Sequence, residues 1–154
     1  MRHTRLGNTV AHSLPYCQLS ALQLLANHLE NNGDMPTPFW IDTVCLPFQK
    51  DAKKRALSEV RRAFQLAAKT IILEPALSNI SVGSAQDALF HLRYSQWKSR
   101  LWTIQEGVLS DKLYVQFKNR VWGLKDILQE YENSSSCNSF SHNFRHFRKL
   151  INHG

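Results

Sequence analysis

Leu19, Leu22, Leu25, Ala26 and Leu29 recur three and four residues apart, the spacing of one face of an α-helix, and Asn32-Gly33 supplies a stop. Pro36 and Pro38 mark a loop. The run from Phe39 to Leu46 is short, mostly apolar and rich in aromatic and β-branched residues, and it is closed by Pro47, a composition that predicts a buried parallel strand. From Asp51 onward Ala56, Leu57, Val60, Ala63, Phe64 and Ala67 line one helical face, with Lys53, Lys54, Arg61 and Arg62 on the other. Thr70 to Leu73 predicts a second strand, ended by Pro75. The Ser, Asn and Gly content of Leu77 to Ser84 predicts a loop, followed by a short helix around Asp87 to Leu92. Trp97, Leu101, Ile104 and Val108 define the core face of a third long helix, and Lys112 to Phe117 predicts a third strand.

Helices alternating with short strands are the pattern of βαβ units and a parallel sheet flanked by helices, an α/β fold. The first helix has no strand before it, because Met1 to Leu14 holds no four-residue apolar run, so the expected sheet lacks its first strand. Residues 1–131 are expected to form the domain. Residues 132–139 form a polar linker, Asn133-Ser134-Ser135-Ser136-Cys137-Asn138-Ser139 at its centre. Residues 140–154 are expected to form a basic amphipathic helix, with Phe140, Phe144, Phe147 and Ile151 on one stripe and Arg145, Arg148 and Lys149 off it. That helix either packs back on the domain, the simpler assignment, or serves a partner, a membrane surface or a calmodulin-type receptor.

Composition narrows the class. A chain of 154 residues with 43% hydrophobic and 20% charged positions has the make-up of one globular domain, which excludes a disordered, collagen-like or coiled-coil chain. No apolar run approaches the ~20 residues that span a bilayer, and no signal segment is evident, so the expected location is the cytoplasm. Cys17, Cys45 and Cys137 are an odd set without CxxC spacing, which argues against a disulfide framework and a zinc site. The formal net charge is +7. Its cations concentrate in Lys50 to Arg62 and in Arg145 to Lys149, and both segments fit solvated helix faces, so neither nucleic acid nor membrane is the expected partner.

Candidate chemistry is sparse. Asp42 interrupts an apolar run, where an unpaired carboxylate is costly to bury; it either pins the strand to a neighbouring loop or stands with Cys45 at the carboxyl end of the strand, where open α/β sheets bind ligands. At 100° per residue Trp102, Glu106 and Leu109 form a second stripe off the core face of the third helix. No Lys or Arg stands three or four residues from Glu106. An indole one turn from such a carboxylate suits a ribose or a cationic ring, and it equally suits a solvated glutamate beside a Trp covered by the N-terminal segment. His142 and His146 are one turn apart without a third ligand, and no GxGxxG, P-loop, GxSxG or HExxH motif occurs.

Phe39-Trp40-Ile41-Asp42-Thr43-Val44-Cys45 and Arg100-Leu101-Trp102-Thr103-Ile104-Gln105-Glu106 resemble two of the three boxes of the heterokaryon incompatibility (HET) domain of filamentous fungi, W-I-D-x-x-C and R-x-W-T-x-Q-E, in the family's order. The resemblance runs from about Gly7-Asn8, through Leu14-Pro15-Tyr16-Cys17-Gln18-Leu19, to about Phe117. It implies a fold similar to the Toll/interleukin-1 receptor (TIR) domain and a role in non-self recognition and programmed cell death. Several TIR-like domains cleave NAD with the glutamate of a W-x-x-x-E pattern, which Trp102 and Glu106 match. The resemblance therefore implies Glu106 as the catalytic residue, with Trp102, Asp42, Arg100 and Cys45 around the substrate, and NAD as substrate with no resident cofactor. The family's first box, a strand resembling Y-x-A-L-S-Y-x-W-G, is missing, and C-I-N-Q is replaced by Cys45-Leu46-Pro47-Phe48-Gln49, as expected of an N-terminally shortened member. The other expected function is a non-catalytic module that self-associates through helix faces or an open sheet edge.

Overall fold

The computed structural model describes residues 3–4, 14–30, 36–97, 110 and 112–134. The chain divides into two compact units, residues 1–63 and residues 64–154.

In the first unit, strands β1 (His3–Thr4) and β2 (Leu14–Pro15) pair antiparallel, His3 opposite Pro15 and Thr4 opposite Leu14. Helix α1 (Tyr16–Glu30) follows directly and buries Leu19, with Leu22, Leu25, Ala26 and Leu29 half-buried along the predicted stripe. Two amide side chains on this helix dock the following loop. Asn27 Oδ1 accepts the backbone N–H of Thr37 at 2.8 Å, and Gln23 Nε2 donates to the Thr37 carbonyl at 2.8 Å and to Asn27 Oδ1 at 2.9 Å. Thr37 is buried outside any ladder, and this pairing meets the need of its backbone groups for partners.

The strand expected over Phe39 to Leu46 is not formed. Asp42–Cys45 is instead a single helical turn, α2. Ile41 precedes it with extended backbone, and its carbonyl accepts the N–H of Val44 at 3.2 Å and of Cys45 at 2.9 Å, while Leu46 N–H closes on the Asp42 carbonyl at 2.9 Å. The backbone groups that a strand would offer to neighbours are thus satisfied locally, and the Asp42 carboxylate sits in the first turn, where the helix dipole favours it. Trp40 and Cys45 are exposed, so the segment is not the fully buried element its composition suggests, and Cys45 is not a core residue. Helix α3 (Lys50–Leu66) follows its predicted stripe, with Val60 buried, Ala56, Leu57, Ala63 and Phe64 half-buried and Lys53, Lys54, Arg61 and Arg62 exposed, but Ala67, expected on the apolar face, lies past the end of the helix and is exposed.

The second unit is a mixed α/β layer built on a three-stranded sheet of order β3 (Thr70–Ile72), β4 (Leu113–Gln116), β5 (Val121–Gly123). β3 and β4 run parallel, with Thr70 opposite Leu113 and Ile72 opposite Val115, as the sequence predicts. β5 runs antiparallel to β4, with Val115 opposite Trp122, so the sheet is mixed rather than wholly parallel. Residues 117–120 make this return short enough for a hairpin, and Phe117 N–H bonds to the Arg120 carbonyl at 2.8 Å. Along β4 Leu113 and Val115, then Phe117, point to the core, while Tyr114 and Gln116 are half-buried on the opposite face, the period of two that a strand imposes.

Helix α4 (Pro75–Ser78), helix α5 (Ala85–Tyr94) and helix α6 (Leu124–Ser134) flank the sheet. Their residues Leu77, Ala88, Leu89, Leu92, Leu124 and Ile127 share one hydrophobic core with Ile72, Val115, Phe117 and Trp97. α5 starts two residues before its prediction because Ser84 caps it, its Oγ accepting the N–H of Asp87 at 3.2 Å. α6 continues through Ser134, so the first residues of the expected polar linker are helical. Of the third long helix only Trp97 is described, and it is buried as predicted. The expected C-terminal helix at 140–154 lies outside the described residues. Among the described residues no helix is long and apolar enough to cross a membrane.

Candidate functional site

The carboxyl end of β3 is where an open α/β sheet presents its ligand-facing loops. There the chain passes from Ile72 through Leu73 to Glu74, and Pro75 opens α4. Glu74 stands at the N-cap of α4 with extended backbone, φ −120° and ψ 125°, yet its side chain makes no capping bond to that helix. The carboxylate turns elsewhere: Oε1 accepts the backbone N–H of Gln96 and Oε2 that of Trp97, each at 2.9 Å. With both oxygens held by backbone donors, Glu74 acts as a clamp rather than a base. It fixes the entry to the segment that carries Arg100, Trp102 and Glu106.

The chain reaches that clamp through a tight turn at the end of α5, where Ser95 donates from both N–H and Oγ to the Leu92 carbonyl, at 3.3 Å and 2.7 Å. On the far side of the segment the parallel pair is pinned again. Ser110 Oγ donates to Thr70 Oγ1 at 2.5 Å, and Thr70 N–H bonds to the Lys112 carbonyl at 2.8 Å. The stretch from 98 to 109 is therefore bracketed by two hydrogen-bonded anchors, one at each end of β3.

Of the five residues that the family resemblance singles out, Asp42 and Cys45 are described, and both lie on the one turn of α2 in the first unit. Asp42 is half-buried and Cys45 exposed. Arg100, Trp102 and Glu106 lie outside the described residues. Glu74 is the residue that sequence reading misses: an acid between a strand and a proline is its only local sign, and the partners it holds are 22 and 23 positions away. Among the described residues no group of three His, Cys, Asp or Glu side chains is placed to hold a metal ion.

Two cations cover aromatic rings on the sheet. The Arg120 guanidinium lies 3.1 Å from the centroid of Trp122, closing the indole of a residue that is 8% exposed, and Lys69 Nζ stands 6.0 Å from the Tyr114 ring. Both serve packing. Comparison of the chain with protein-family models, with curated proteins and with solved structures finds no match in any of the three.

Proposed function

We propose that the chain is a HET-type, TIR-like signalling domain of fungal non-self recognition and programmed cell death, and that it cleaves NAD with Glu106 as the essential residue. The support is the pair of boxes W-I-D-x-x-C and R-x-W-T-x-Q-E, combined with one structural observation. The second box falls within the crossover between two parallel strands, and Glu74, at the carboxyl end of β3, clamps Gln96 and Trp97 just ahead of that box. In this mechanism the N-glycosidic bond between nicotinamide and ribose breaks with its electron pair leaving on nicotinamide. Water adds to the ribose carbon and gives up a proton, yielding ADP-ribose. The Glu106 carboxylate stabilises the oxocarbenium-like ribose and orients its hydroxyls, Trp102 supplies a stacking ledge, and Arg100 borders the substrate.

The test is nicotinamide release from NAD by the full chain, followed by chromatography, beside Glu106→Ala with its melting curve. Release by the wild type that the substitution abolishes, with melting unchanged, supports the assignment. Full turnover in the variant, or none in the wild type, overturns it.

One observation favours a second, non-catalytic function. Among the described residues β3 pairs with β4 on one side and with no strand on the other, and an open edge of this kind can add a strand from a second copy. Self-association that light scattering detects, and that Ile71→Pro removes while the monomer keeps its far-ultraviolet dichroism, would support assembly through this edge. Monomeric behaviour at all concentrations would exclude it.

A further inference from the structure

Helix α3 carries Lys50, Lys53, Lys54, Arg55, Arg61 and Arg62 against Asp51 and Glu59, a net of four positive charges out of the chain's +7. All six cations are exposed, and among the described residues none of them forms an ion pair. Asp51, three and four residues from Lys54 and Arg55, and Glu59, three from Arg62, offset part of this charge without closing an ion pair, and four positive charges remain in excess. At 100° per residue Lys50, Arg61 and Lys54 fall within ~40° of arc, with Asp51 about 60° and Glu59 about 140° beyond Lys54. This stripe runs for ~16 Å along the helix at 1.5 Å per residue.

Such an arrangement works against the helix by itself. Lys50 and Lys53 place positive charge in the first turn, the end at which the helix dipole favours anions, and Lys50 and Lys54 repel each other one turn apart. A bound anion would relieve both. We infer that the Lys50–Lys54–Arg61 face of α3 is a docking surface for the phosphate backbone of duplex nucleic acid, independent of any NAD chemistry.

Two observations select this partner. An interfacial membrane helix inserts apolar side chains beside its cations, but here the apolar stripe of α3 is covered, with Val60 buried and Ala56, Leu57, Ala63 and Phe64 half-buried. A single-stranded partner is held by stacking on exposed aromatic rings, and the one aromatic residue of α3, Phe64, is half-buried with the apolar stripe. A duplex backbone requires only charge and donors along a line, which Lys50, Lys54 and Arg61 supply.

The experiment is fluorescence anisotropy of a labelled DNA duplex of mixed sequence, titrated with the full chain from low to moderate salt. Three neutralised phosphates predict a slope of log affinity against log salt of about −3, or a roughly 50-fold loss between 50 and 200 mM salt. Lys54→Glu/Arg61→Glu should weaken binding at least tenfold. Lys112→Glu/Lys118→Glu, an equal change of charge at two exposed lysines of the second unit, should change it by less than about threefold. Circular dichroism melting verifies that both variants fold. No binding at low salt, or equal losses in the two variants, would overturn the proposal. So would stronger, α3-dependent binding to phosphatidylserine vesicles, which would assign the face to a membrane.

Discussion

Glu74 Oε2 accepts the backbone N–H of Trp97 at 2.9 Å, across 23 positions of the chain. The bond joins the carboxyl end of β3 to a residue whose indole is 5% exposed in the core, so the same short segment is held by its backbone from one side and by its ring from the other. A carboxylate accepting two backbone N–H groups is a stronger anchor than a neutral side chain in the same place.

Removing that anchor should be measurable. Glu74→Ala gives the exposed Gln96 N–H over to water but leaves the part-buried Trp97 N–H without its acceptor, and should cost about 1–3 kcal/mol, lowering the midpoint of thermal unfolding by several degrees. Glu74→Gln keeps one acceptor and turns an amide N–H₂ toward the other donor, so its loss should lie between wild type and alanine. Indistinguishable melting curves would show that the clamp contributes nothing to stability.

Asn119 imitates a strand. Its Oδ1 accepts the N–H of Val82 at 3.1 Å and its Nδ2 donates to the Val82 carbonyl at 2.9 Å, pinning the hairpin to the loop before α5 where Val82 is 3% exposed. Asn119→Ala orphans both backbone groups and should cost about 1–3 kcal/mol in urea unfolding. Asn119→Asp retains the acceptor but sets a carboxylate against the Val82 carbonyl, so it should destabilise at least as much as alanine.

Burial should sort the large side chains. Phe117 is fully buried and joins β4 to the helices, so Phe117→Ala should cost about 3–5 kcal/mol. Leu24, 70% exposed on α1, should change by less than about 0.5 kcal/mol when replaced by alanine. Urea midpoints at a common slope would check the contrast.

The C-terminal stripe lies outside the described residues. If Phe140, Phe144, Phe147 and Ile151 pack on the domain, Phe144→Asp should lower the melting midpoint by several degrees. An unchanged midpoint would assign the stripe to a partner.

What can be read from the residues divides on physical grounds. Thr70–Ile72 and Leu113–Gln116 are legible because each is a short apolar run, bounded by Pro75 and by Lys118-Asn119, that finds the other as its neighbour. Phe39 to Leu46 has the same composition and forms one helical turn, because composition names no neighbour and Ile41 and Asp42 satisfy the backbone locally. β5 is too short for periodicity to detect; the hairpin register defines it. The stripes of α1 and α3 are legible because they extend over several turns. Glu74 is invisible for the opposite reason, since its function is set by chain geometry rather than by adjacent residues.

The parallel pairing of β3 with β4 also has a consequence during synthesis. Thr70 leaves the ribosome 40 residues before Ser110, its hydroxyl partner, whereas β4 and β5 are separated by only residues 117–120. At ordinary elongation rates the apolar edge Ile71-Ile72-Leu73 waits ~2–8 s for its neighbour. The hairpin can close within microseconds of emerging. β3 is thus the earliest strand of its sheet to appear and the one that waits longest for a partner, which makes it the segment of that unit most exposed to chaperone capture or aggregation in the nascent chain.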